Sequence, residues 1–83
     1  MQLIFKDEAL KRLKRIGAAD SNKVQRKIEF LKENPRAGKQ LHGAYEGKYS
    51  LRAGPLRIIY TFTPDTQTIK ILTIDYRGDV YKG

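Results

Sequence analysis

Four basic side chains and two tyrosines in the second half of this chain have the types and spacing to grip a phosphate group. Lys48, Ser50 and Arg52 alternate with Tyr49 and Leu51, so in a strand they share one face, and Tyr49 and Leu51 take the other. Arg57 alternates with Leu56 and Ile58, and Ala53-Gly54-Pro55 turns its strand back beside the first. Arg77 and Tyr81 follow in the C-terminal segment, with Tyr76 next to them. No carboxylate lies within these strands, although surface strands commonly set opposite charges across from one another. Each cation alone is most simply a solvated side chain; their convergence is what points to a polyanionic partner.

The rest of the composition narrows the chemistry. Cysteine is absent and His42 is the single histidine, which excludes a disulfide scaffold, a thiolate or multi-histidine metal site and a cysteine nucleophile. His42 sits beside Gly43 in a loop and is read as a turn or packing residue. No apolar run approaches the roughly 20 residues of a membrane span, and the N-terminus lacks the pattern of a secretory signal. A cytoplasmic protein without a membrane partner, metal or other cofactor is therefore expected.

The 83 residues suffice for one domain, residues 1–83, with a sheet covered by a helix layer. Gln2 to Phe5 reads as an edge strand. Asp7 offers an N-cap, and Ala9, Leu10, Leu13 and Ile16 recur at helical spacing up to a stop at Gly17. Asp20 or Ser21 caps a second helix with the stripe Val24, Ile28 and Leu31, ended by Asn34-Pro35. These stripes are expected to face the sheet. Eleven of the seventeen lysines and arginines fall in residues 1–40, mostly on the outer helix faces, where solubility is the simplest role. Residues 36–47 read as a loop. Then come strands at Lys48–Arg52, Leu56–Phe62 and Thr68–Ile74, the last three forming an antiparallel meander. The fold class is α+β: an N-terminal strand, then a helical hairpin packed on an antiparallel sheet, in the order β-α-α-β-β-β. Tyr45, Tyr49 and Tyr60 are assigned to the core or its edge.

Three segments in this order resemble the RelE/ParE superfamily of toxin–antitoxin toxins: Leu41-His42-Gly43, Tyr49 through Tyr60 with its Leu51-Arg52 and Arg57-Ile58-Ile59-Tyr60, and Ile74 through Tyr81 with its Arg77-Gly78-Asp79-Val80-Tyr81. The retained strand arginine and the closing Arg-x-x-Val-Tyr favour the RelE branch. That resemblance implies a ribosome-dependent mRNA endoribonuclease acting on mRNA in the ribosomal A site, neutralised by a RelB-like antitoxin and touching operator DNA only through the antitoxin complex. Lys48, Arg57, Arg77 and Tyr81 carry over as catalytic, and Arg52, Ser50 and Tyr76, together with Lys48, as RNA- or phosphate-binding. Two positions depart from the pattern: Ser50 stands where well-known relatives have a second lysine, and Tyr76 where many have histidine. The general base is left open among Asp75, Tyr76 and Glu46.

The implied chemistry suits these residues. Metal-free cleavage uses the 2′-hydroxyl of RNA as nucleophile, so the protein need only align it, move protons and stabilise a phosphorane. Guanidinium groups reach two phosphate oxygens and stay charged. Clustered positive charge eases proton loss from a lysine, which would suit Lys48 to proton transfer. A tyrosine can stack on a base or donate a hydrogen bond. Two other readings remain: a ParE-like inhibitor of DNA gyrase without nuclease activity, and a non-catalytic toxin that survives as a binding module.

Overall fold

The computed structural model describes residues 1–76. Their elements run β1 (Gln2–Phe5), α1 (Asp7–Arg15), α2 (Ala18–Glu33), β2 (Lys39–Gln40), β3 (Tyr49–Ala53), β4 (Leu56–Thr63) and β5 (Thr68–Tyr76). The five strands form one sheet in the order β1-β5-β4-β3-β2. The α+β class and the helical hairpin are as expected. Two details differ: β1 pairs with β5 in parallel, which makes the sheet mixed, and Lys39–Gln40 in the expected loop adds a short strand on β3.

Both helices cover one face of the sheet. Val24, Ile28 and Leu31 from α2 and Ala9 from α1 are buried against Ala53, Leu56, Ile58, Tyr60, Ile69, Ile71 and Ile74. Leu10 departs from the expected stripe: it is exposed, because the narrow apolar seam of α1 is met by Ala9, Leu13 and Ile16. Helix α2 begins at Ala18, before Asp20 and Ser21, with Gly17 as its N-cap. Gly17 therefore opens the second helix rather than closing the first, which ends at Arg15.

The parallel pairing places α1. Strand β1 stops opposite Ile71, where the Lys6 amide donates to the Ile71 carbonyl at 2.9 Å. Beyond that point the edge of β5 has no strand neighbour, and α1 packs there instead. Asp7 and Glu8 lie in its first turn and Arg12, Lys14 and Arg15 in its last, matching the helix dipole at both ends.

Turns set the register of the open face. Gly54 has φ 64° at the first position of a two-residue hairpin loop, a conformation that glycine adopts without strain. The resulting register aligns Arg52 with Arg57, Ser50 with Ile59 and Tyr49 with Tyr60. On the other side of β4, Arg57 meets Asp75 and Ile59 meets Thr73, but Tyr60 meets Ile71. Leu72 is thus an extra residue in β5, a bulge that bends the strand. No described helix is long and apolar enough to cross a membrane.

Candidate functional site: a cationic hollow on the open face

The face away from the helices is a grid of paired side chains. One row runs Arg52, Arg57, Asp75; the next runs Lys39, Ser50, Ile59, Thr73. One residue pair further along, Thr61 aligns with Lys70, and Lys70 with Ile4. A hollow of about 560 Å³ opens over the second and third rows, with Ile59, Thr61, Leu72 and Thr73 in its wall. Its charged rim consists of Lys48, Lys70, Lys6, Glu8 and Asp75, and Tyr45 completes it. The Lys48 ammonium lies 5.6 Å from the centre of the Tyr45 ring, so a tyrosine assigned to the core or its edge belongs to the hollow.

The expected site residues separate into groups. Lys48 lines the hollow. Arg52 and Arg57 share the same face in the adjoining row, directly across from each other. Arg52 and Tyr76 border a second, shallow depression at the Gly54-Pro55 turn, where the Arg52 Nε donates to the Gly54 carbonyl at 3.4 Å. Ser50 points to the open face as its alternation requires, yet it is only 2% exposed, and its hydroxyl has no hydrogen-bond partner among the described residues. The hydroxyl of Thr73, across Ile59 from it, is likewise buried and without a partner among the described residues. Arg77 and Tyr81 lie outside the described residues.

One expectation is corrected. The strands do hold a carboxylate opposite the arginines, because β5 extends to Tyr76 and brings Asp75 across from Arg57. This carboxylate is largely committed elsewhere. Its Oδ2 lies 3.0 Å from the Arg12 guanidinium of α1, and its Oδ1 accepts the Tyr76 amide at 2.8 Å. Arg12 therefore offsets the charge of Asp75, and the face stays cationic. Among the three residues left open as general base, Asp75 alone lines the hollow; Tyr76 borders the second depression and Glu46 is exposed outside both. Two arginines in direct cross-strand register destabilise a sheet by like-charge repulsion. An anionic ligand bound between them would relieve that repulsion.

A single clamp fixes the segment leading to Lys48. The buried Tyr60 hydroxyl donates to the Pro35 carbonyl at 3.0 Å and accepts the Gly38 amide at 2.9 Å. The Tyr60 ring stacks on Tyr49 with centroids 5.2 Å apart. This ties the end of α2 to the centre of the sheet and lets β2 pair with β3. The Leu41 amide then donates to the Lys48 carbonyl at 2.9 Å.

Comparison with known proteins agrees with this architecture. Residues 3–81 match the family of ParE toxins of type II parDE toxin–antitoxin systems. The chain belongs to the RelE/ParE toxin superfamily. It is 35% identical to toxin RelG of Mycobacterium tuberculosis over 54 residues, which span 65% of this chain and 62% of RelG. Among solved structures, the toxin–antitoxin complex RelBE2 of M. tuberculosis superposes with a TM-score of 0.79 at 28% identity, covering 92% of this chain and 96% of the matched one. The isolated RelE toxin of Escherichia coli gives 0.77 at 24% identity, covering 96% of this chain and 89% of that one. A YoeB/ParE toxin from Agrobacterium tumefaciens gives 0.82 at 21%, covering 93% and 99%; these last two likenesses concern the fold.

Lys70, Lys6 and Glu8 were not anticipated as neighbours of Lys48. Alternation within Thr68–Ile74 carried the signal for Lys70, since it puts Lys70 opposite in face to Ile69 and Ile71. Lys6 and Glu8 reach the hollow only through the parallel β1–β5 pairing, which no local pattern encodes.

Proposed function

We propose that this chain is the toxin of a type II toxin–antitoxin system and acts as a ribosome-dependent mRNA endoribonuclease, held in check by a RelB-like antitoxin. The observation that carries the reading is the like-charged pair Arg52–Arg57, set beside a hollow lined by Lys48 on the same open face. Asp75, across from Arg57 in the same row, is paired with Arg12, so its charge is offset and the row stays cationic. Similarity to a toxin–antitoxin complex supports the antitoxin partner.

In this mechanism the RNA supplies its own nucleophile. The 2′-oxygen loses its proton, attacks the adjacent phosphorus and displaces the 5′-oxygen, leaving a 2′,3′-cyclic phosphate and a protonated 5′-hydroxyl. Arg57 and Arg77 offset the added negative charge of the phosphorane, and Arg52 holds a neighbouring phosphate. Lys48 moves a proton or pairs with a non-bridging oxygen, and Tyr81 orients the substrate. The ribosome contributes the alignment of the strand.

The test is brief expression followed by primer extension on cellular mRNA. Codon-aligned cuts are expected, and Arg57→Ala and Arg77→Ala are each expected to relieve growth arrest by lowering cleavage about 100-fold or more, as loss of one transition-state donor does. Full toxicity in both folded variants would remove these residues from the mechanism. The match to ParE toxins favours a second reading, gyrase inhibition. Its mark is DNA-damage signalling with intact mRNA. A binding module without activity would cause no growth effect in the absence of antitoxin.

A further inference from the structure

We propose that Lys6 and Lys70 form a second phosphate-binding arm, which holds a single-stranded RNA on the far side of the hollow from Arg52 and Arg57. The inference rests on the nuclease reading and extends it to the path of the strand.

Three observations carry it. First, Lys6, Lys48 and Lys70 all line the hollow, and none has an ion-pair partner among the described residues. Of the two carboxylates there, Asp75 is paired with Arg12, so Glu8 alone opposes three lysines. Second, Ile59, Leu72, Thr61 and Thr73 between them are uncharged, so nothing in that wall offsets the rim. Third, the backbone positions of these cations are spread over the open face rather than gathered at one point. Lys48 immediately precedes β3 and Lys70 lies on β5, two strands away, about 10 Å, and Arg57 lies four residues along β4 from Thr61, the partner of Lys70, about 13 Å. A ligand answering all these cations carries its negative charges at intervals along a chain, as a phosphodiester backbone does.

Two exposed lysines on the open face and at the end of β1 would ordinarily serve solubility, as Lys11 and Lys14 do on α1. The experiment separates these roles by the salt dependence of binding. Each phosphate contact to single-stranded nucleic acid contributes about 0.7 to the slope of log K against log salt. Fluorescence anisotropy with a short single-stranded RNA is measured over a salt series for the parent protein, Lys6→Gln/Lys70→Gln, and the charge-matched control Lys11→Gln/Lys14→Gln. The first pair is expected to reduce the slope by about 1.4 and to weaken binding about 25-fold at 0.1 M salt, while the control leaves both unchanged.

An unchanged slope in Lys6→Gln/Lys70→Gln overturns the arm, as does an equal loss in the control pair, which would mean diffuse attraction. So does a parent protein that fails to bind RNA at low salt. Cleavage of mRNA by the parent protein is scored separately. Parent cleavage with an unchanged slope sinks the arm and leaves the nuclease standing; a lysine-dependent slope with uncut mRNA supports the arm and sinks the nuclease.

Discussion

Replacing Tyr60 with phenylalanine removes one oxygen and tests how the site is held. The ring, its burial and its stack on Tyr49 are kept, so the change isolates the hydroxyl. Two backbone groups lose their partner: the Gly38 amide at 2.9 Å and the Pro35 carbonyl at 3.0 Å. A backbone group left without its bond in a part-buried site costs about 1 kcal/mol or more, so the pair costs about 2 kcal/mol. In a domain of this size that lowers Tm by about 8–16 °C. The same hydroxyl gives a pH signature. Burial pushes the Tyr60 phenol above its ordinary value, the Gly38 hydrogen bond opposes this, and nearby Tyr49 adds to it. The folded state thus favours the neutral phenol. Its contribution is fully present below the unfolded value near 10 and is lost as pH rises through the raised folded value. Thermal and urea melts by circular dichroism, repeated between neutral and strongly alkaline pH, measure both effects. The Tyr60→Phe variant should melt lower at neutral pH and lack this component of the alkaline loss. A variant that melts with the parent protein, or keeps the same alkaline slope, would refute the clamp.

Other perturbations give separate readings. Gly38→Ala would put a Cβ 2.7 Å from the Tyr60 hydroxyl and 3.0 Å from the Ser50 carbonyl, and should cost about 1–3 kcal/mol in a urea melt. Ile71→Ala empties a fully buried core position and should cost about 2–5 kcal/mol by the same measure. Arg12→Ala breaks a part-exposed ion pair, so its stability loss should stay below about 1 kcal/mol. Ser50→Ala removes a buried hydroxyl with no partner among the described residues and should raise Tm slightly; a drop would show that the hydroxyl is bonded. A reporter mRNA carrying a 2′-deoxynucleotide at the cut position should resist cleavage on the ribosome, whereas cleavage at the normal rate would exclude 2′-hydroxyl attack.

Local patterns made most of this fold legible. Helical spacing located Val24, Ile28 and Leu31, and alternation assigned the faces of β3 and β4 correctly, down to Ser50 and Arg52 beside Arg57. Burial was harder to read: Ser50 has the polarity of a surface residue and lies under its neighbours, because alternation gives direction and not depth. The missing carboxylate was a matter of strand length, since Asp75 joins the face only when β5 runs past Ile74. Helix starts shifted because Asp7, Asp20 and Ser21 sit inside first turns, and the N-cap positions fall to Lys6 and Gly17, neither of which makes a side-chain cap. The hollow itself is non-local. It is assembled from the turn at Tyr45, the strand at Lys48 and the β1–α1 junction, which meet only when the sheet closes in parallel on its first strand.

The additional residue at Leu72 acts as a phase change in β5. Before it, Ile69 and Ile71 turn inward; after it, Ile74 does, and Asp75 turns outward. Regular alternation through Leu72, without the bulge, would instead drive the Asp75 carboxylate into the apolar interior and expel Ile74. One peptide unit thereby decides which side of the molecule receives Thr73 and Asp75.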